Sequence, residues 1–155
     1  MTALATNNKI AVMSESAIEK VRLVQDAILK LPKSCLVDFP VNHIIHGGSY
    51  CRSLMIPAGV MLVGAHIKIA TTLIVSGCVT VYANDQAYEI DGYQVLVASA
   101  GRKQVFVAHT DTNMTMTFAT DATTVEDAEN EFTSEPDLLA SRRHEDLNTT
   151  IITGE

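Results

Sequence analysis

Residues 56–81 read Ile-Pro-Ala-Gly-Val-Met-Leu-Val-Gly-Ala-His-Ile-Lys-Ile-Ala-Thr-Thr-Leu-Ile-Val-Ser-Gly-Cys-Val-Thr-Val. The stretch parses as a strand end, a Pro57-Ala58-Gly59 turn, a second strand, a segment bearing His66, and a long strand broken at Ser76-Gly77. Within the long strand Leu73 and Val75, then Val79 and Val81, alternate against Ile74 and Thr80. Period two puts successive side chains on opposite faces of a sheet. Glycine in mid-strand weakens the strand and marks a break in it.

The same period runs outward from Leu36 to Ala119. Met114, Met116 and Phe118 alternate with Thr115 and Thr117. Val95–Val97 and Val105–Val107 are short continuous apolar runs, the mark of strands buried on both faces. Turn residues recur at Gly47-Gly48, Asn84-Asp85, Asp91-Gly92 and Ala100-Gly101. Many short strands so punctuated predict a mainly β antiparallel sandwich or barrel over residues 35–121, of which the jelly roll is one solution.

Helical patterning flanks the barrel. Ser16-Ala17-Ile18-Glu19 has capping-box spacing, with Ile18, Val21, Val24, Ile28 and Leu31 at helical intervals behind it and Pro32 to stop them. This predicts an amphipathic N-terminal helix over residues 17–31, within a segment 14–32. Residues 1–13 read as a flexible arm. Residues 122–141 carry short helical segments, with Thr124 to Phe132 as one helix, and 142–155 read as a polar tail.

The 155 residues suffice for one domain with a real core. Apolar residues make up 47% and charged residues 19%, a globular composition. The net charge of −7 repels phosphate backbones and argues against a nucleic-acid partner. No apolar run reaches the ~18 residues of a membrane helix, and residues 1–9 lack a secretory hydrophobic segment. Cys35, Cys51 and Cys78 are scattered and odd in number, which reads as reduced, mostly buried thiols.

Several pieces together carry a family resemblance: Pro40-Val-Asn-His43, Gly48-Ser-Tyr50-Cys-Arg52, Ile56-Pro-Ala-Gly59, Gly64-Ala-His66, Leu73-Ile-Val-Ser-Gly77, Ser99-Ala-Gly-Arg-Lys103 and Ala108-His-Thr-Asp-Thr112. Over about half its length the chain resembles small cupin-like proteins of tailed bacteriophages. The resemblance implies a cupin-like jelly roll, or double-stranded β-helix barrel, and a phage origin, with the host cytoplasm or the virion as location. That family is largely without an assigned activity.

Cupin metal sites usually use a His-x-His pair, a following Glu and a later His, a donor set suited to a divalent transition metal. Here Gly64 and His66 stand at the pair, Ala70 at the Glu position and Gln104 at the later His position. One usual ligand remains, so no metal cofactor is favoured. Were a metal held, His43, His66 and His109 would be its ligands. Candidate ligand-binding residues are Tyr50, Arg52, His66 and Gln104 at the barrel mouth. Arg102-Lys103 and Arg142-Arg143 read first as solvated surface, with Arg102-Lys103 also able to meet an anion or an acidic neighbour. Cys51 or Ser53 with His46 and Asp111 lacks any strained nucleophile elbow. The sequence therefore favours a non-enzymatic cupin-fold protein acting as an oligomeric scaffold, a homo-oligomer or a docking module for other phage or host proteins. The alternatives are a metal-dependent enzyme and a small-ligand-binding barrel.

Overall fold

The computed structural model describes residues 8–155 and the backbone pairing of Thr2–Ala3. In chain order the elements are β1 (Thr2–Ala3), β2 (Lys9–Ile10), α1 (Glu15–Leu29), β3 (Asn42–His46), β4 (Ser49–Ile56), β5 (Met61–Val63), β6 (Thr71–Ala83), β7 (Gln86–Ala98), β8 (Val105–Ala108), β9 (Thr112–Ala119), α2 (Val125–Phe132), α3 (Ala140–Arg143) and β10 (Thr149–Ile152). Among the described residues no helix is long and apolar enough to cross a membrane.

The β6–β7 hairpin organises the barrel. Its two-residue turn, Asn84-Asp85, has φ of 50° and 63°, the left-handed pair a tight hairpin requires. The hairpin belongs to two sheets. At its open end Thr72–Ser76 pairs with β9, which continues through β4 and β3 to β10. At its closed end Val79–Tyr82 pairs with β8, which continues to β5. The change of partner falls at Gly77, whose φ is 145°. A Cβ there would lie 2.8 Å from the backbone of Thr112. The Ser76-Gly77 break is thus the corner at which one strand serves both sheets.

The core fills the space between the sheets. Leu73, Val75, Val79 and Val81 from β6 meet Met114, Met116 and Phe118 from β9, all buried. Tyr50 packs edge-on to Phe118 at 5.5 Å and stacked on Phe132 at 6.2 Å, bringing α2 onto the barrel. The mainly β, cupin-like jelly roll with an N-terminal helix and short C-terminal helices is the architecture observed.

Local expectations change at six places. The N-cap of α1 is Ser14, whose hydroxyl accepts from Ala17 N–H at 3.1 Å, and not Ser16. Only Ala17, Ile18 and Val21 of α1 are buried; Val24 and Leu31 are exposed. The arm assigned to residues 1–13 lies partly outside the described residues, but Lys9–Ile10 adds in parallel to the free edge of β7. The tail assigned to 142–155 is anchored: Thr149–Ile152 forms β10, parallel to β3, and Gly47 N–H donates to Glu155 C=O at 3.0 Å. Val95 and Val97 are exposed, because β7 turns that face away from the core. Cys35 is exposed and Cys51 and Cys78 are half-buried.

Candidate functional site

A cavity of about 130 Å³ lies inside the barrel, and alternation explains its walls. Arg52 and Leu54 of β4, Met114 and Met116 of β9, and Arg102, Gln104 and Phe106 entering β8 are each two residues apart, so each set presents one face inward. The cap is C-terminal: Phe132, Leu138, Leu139 and Ala140 close one side, with exposed Arg143 at the rim. An apolar cavity on the order of 150 Å³ holds one benzene-sized molecule.

The polar residues of the lining are Arg52, Arg102, Arg143 and Gln104, and it contains no carboxylate. Arg102 is 2% exposed and has no acidic partner. Its Nη1 donates to Ser99 C=O at 2.7 Å and Ile69 C=O at 3.3 Å, and its Nη2 to Thr71 Oγ1 at 2.7 Å. Its Nε is buried without a partner, and so is Nε2 of Gln104, itself 5% exposed. Burial lowers the Arg102 guanidinium to about 10, which leaves it cationic at neutral pH. A buried cation without a counter-charge is costly, and unpaired buried donors add to that cost.

Around this corner the other buried charges are paired. Glu129, 3% exposed, accepts from Arg52 Nη1 at 3.1 Å and Arg142 Nε at 3.0 Å, and Ser141 O–H donates to it as well. This network ties α2 and α3 to β4. Lys103, 0% exposed, is paired with Glu135, which also accepts from His66 N–H at 2.7 Å. Burial pushes the Lys103 ammonium down, with Glu135 opposing. Burial alone would raise the Glu135 carboxyl, but the bonds from Lys103 and His66 hold it below the usual carboxylate range.

The sequence candidates separate into two groups. Gln104 and Arg52 line the cavity; Tyr50 and His66 do not. Tyr50 is fully buried in the core, its hydroxyl 2.7 Å from His43 Nδ1, and burial pushes it up to about 12. His43 Nε2 faces Asn148 Oδ1 at 3.3 Å, so the neutral ring donates to Asn148 and accepts from Tyr50. His66 Nδ1 lies 3.3 Å from Ser134 Oγ, and His109 Nε2 lies 2.6 Å from Thr80 Oγ1. The three histidines therefore bond to unrelated partners, and none lines the cavity. Among the described residues no three His, Cys, Asp or Glu side chains are placed to hold a metal. With one imidazole and an amide at the motif positions, the donor set does not fit a transition metal. His46 bonds Thr153 Oγ1 at 2.8 Å and Asp111 caps Ala58 N–H at 2.9 Å, so no nucleophile–His–acid set forms there.

Arg102 is the residue local patterning undervalued. It follows the Ala100-Gly101 turn, yet the 64–70 segment folds over it, Ile67 bridging both Arg102 and Thr133. The signal lay in Arg102, Gln104 and Phe106, which hold strand alternation through the presumed turn.

No family model matches the chain, and no curated protein matches it. Solved structures do. The likeness is to cupins. A cupin superfamily protein from Desulfitobacterium hafniense is 14% identical, over 59% of this chain and 90% of that one, with a TM-score of 0.46. An RmlC-like cupin with a double-stranded β-helix fold from Methanocaldococcus jannaschii is 11% identical, over 59% of this chain and 87% of that one, with a TM-score of 0.45. Salicylate 1,2-dioxygenase from Pseudoaminobacter salicylatoxidans is 13% identical, over 85% of this chain but only 40% of that longer one, with a TM-score of 0.48. These structures concern the cupin fold and not the phage resemblance.

Proposed function

We propose that this chain is a non-catalytic binding module that holds one small molecule inside its barrel. The observation that carries this reading is the half-open apolar cavity of about 130 Å³ between the sheets and the C-terminal cap. Its lining supplies apolar contact and fixed donors. It contains no group that exchanges a proton near neutral pH, since its polar side chains are arginines and an amide. A thermal-shift screen of benzene-sized compounds tests this. A ligand present at ~100 times its Kd adds about 2.7 kcal/mol of stability. Failure of every compound in the series to raise Tm would refute the reading.

A second reading, self-association, is favoured by the outer face of the β7-β6-β9-β4-β3-β10 sheet. The register aligns Val97, Thr72, Thr117, Cys51, Ile44 and Ile151 in one row and Val95, Ile74, Thr115, Ser53, Asn42 and Thr149 in the next. Neither row holds a charge, although the chain carries −7. Tyr93, Val97 and Ile151 on this face are 69%, 56% and 53% exposed. Six strands ~4.8 Å apart and five residues at ~3.4 Å give roughly 500 Å² of flat face before side chains and rim are counted. Stable interfaces bury about 800 Å² per partner, so a second copy packed face to face is the occupant this surface suits. The sequence resemblance supports a phage setting for such an assembly, and presence in purified particles distinguishes a virion component from a host-cytoplasm factor.

A further inference from the structure

We propose that residues 136–147 form a lid over the barrel cavity, hinged at Glu135 and Asn148, and that the guest enters and leaves when this segment lifts as one unit. This rests on the ligand-binding reading of the cavity and adds the control of its mouth.

Backbone bonding marks out the segment. Upstream, Thr133 bridges Ile67, and Lys68 N–H donates to Phe132 C=O at 2.9 Å. Downstream, Thr149 N–H donates to Val41 C=O at 3.0 Å, where β10 joins β3. Between these anchors the backbone bonds close within the segment and its hinges. Leu138 N–H donates to Glu135 C=O, Arg142 and Arg143 N–H to Leu139 C=O, His144 N–H to Ala140 C=O, and Asn148 N–H to Glu145 C=O. Among the described residues no backbone ladder ties this stretch to the barrel. A stretch held only through its side chains can open while the sheets stay intact. The same stretch supplies Leu138, Leu139 and Ala140 to one wall of the half-open cavity and Arg143 to its rim.

Its side-chain ties can part without stranding a buried charge. Ser141 and Arg142 both bond Glu129. When they lift away, Glu129 keeps Arg52 Nη1 at 3.1 Å, because both of those residues stand outside the lid. Lys103 keeps Glu135, whose own N–H donates to Thr133 Oγ1 at 3.2 Å on the anchored side of the hinge. Asn148 keeps His43 and releases Ser141 C=O, which its amide holds at 2.8 Å. His144 Nε2, 2.6 Å from Asp38 Oδ1, makes a solvent-exposed pair, and such pairs are weak. Leu139 and Ala140 are the buried apolar side chains of the lid, and both face the space a guest would fill.

Hydrogen exchange of the full native chain, with and without benzene, tests this. The N–H groups of Leu139, Arg142, Arg143 and His144 are expected to exchange through one shared opening, at least ~10-fold faster than those of β6 and β9. Benzene at ~10 times its Kd is expected to slow them about 10-fold, since the guest is lost whenever the lid lifts. H144A, which cuts an exposed tie, is expected to speed the lid amides about 2- to 5-fold and leave β6 unchanged. Lid amides no faster than those of β6 would make the segment a fixed wall and overturn the proposal. Benzene that slows β6 but not the lid is held without the lid, which would overturn the proposal and leave the ligand-binding barrel intact. Benzene that slows neither would remove the barrel reading together with this one.

Discussion

Gly77 is seated against Thr112 so closely that a Cβ at position 77 would lie 2.5 Å from Thr112 Oγ1 and 2.8 Å from its Cα. The contact joins the corner of β6 to the start of β9 and fixes where β6 changes sheets. Its φ of 145° is also a conformation that side-chain-bearing residues rarely adopt. G77A combines strain with overlap against backbone and is expected to cost about 3 kcal/mol. Urea denaturation checks this; a loss below ~0.5 kcal/mol would show that the corner relaxes freely.

The buried His43 sets a pH dependence. Burial lowers its pKa first, and the Arg52 charge lowers it further, while Asn148 and Glu129 oppose. The unfolded state, titrating near 6.5, therefore binds the proton before the folded state does. Stability is fully present above about pH 6.5 and falls as pH drops below it, by at most ~1.4 kcal/mol per pH unit for this one group. The loss levels off once folded His43 protonates too. His66, also lowered chiefly by burial, acts in the same direction. Denaturation midpoints between pH 7 and 5 should fall in the wild type and fall less steeply in H43Q. Parallel slopes in both proteins would assign the effect elsewhere.

The Glu129 network holds the C-terminal cap. Removing its charge strands buried Arg52, whose guanidinium also lies 5.6 Å from the Phe132 ring. E129Q is expected to lose about 3–5 kcal/mol, because one partner of a buried pair is left uncompensated. Calorimetric unfolding measures it. A double variant, R52M with E129L, should lose less than E129Q alone; the reverse order would argue that these charges contribute net stability.

Self-association through the outer sheet face has a separate test. Val95 is 45% exposed, so V95K should leave monomer stability within about 0.5 kcal/mol. Sedimentation equilibrium should find a dimer of the wild type and a monomer of V95K. A wild-type monomer at high micromolar concentration would retire the interface.

Much of the barrel was legible because it is local. Asn84-Asp85 has the chemistry of a left-handed turn, Gly77 that of a bend, and Met114, Met116 and Phe118 alternate into the core as period two requires. The site was legible only in part. Arg52 and Gln104 sit on inward strand positions and line the cavity. Tyr50 has the same parity but lies deeper, where His43 claims its hydroxyl.

What was not legible depends on distant segments. Arg102 and Lys103 follow a turn, and they are buried only because residues 64–70 and Glu135 close over them. The apolar run Val95–Val97 matches a doubly buried strand, since periodicity cannot tell an uncharged outer face from a second core face. β10 is exposed along its whole length and bears no alternation; its backbone pairing with β3 holds it.

A crystal structure grown with benzene tests the central claim most directly. Difference density for the ring should fill the space between Leu54, Phe106 and Met114. A cavity that holds only solvent at saturating benzene would contradict the account.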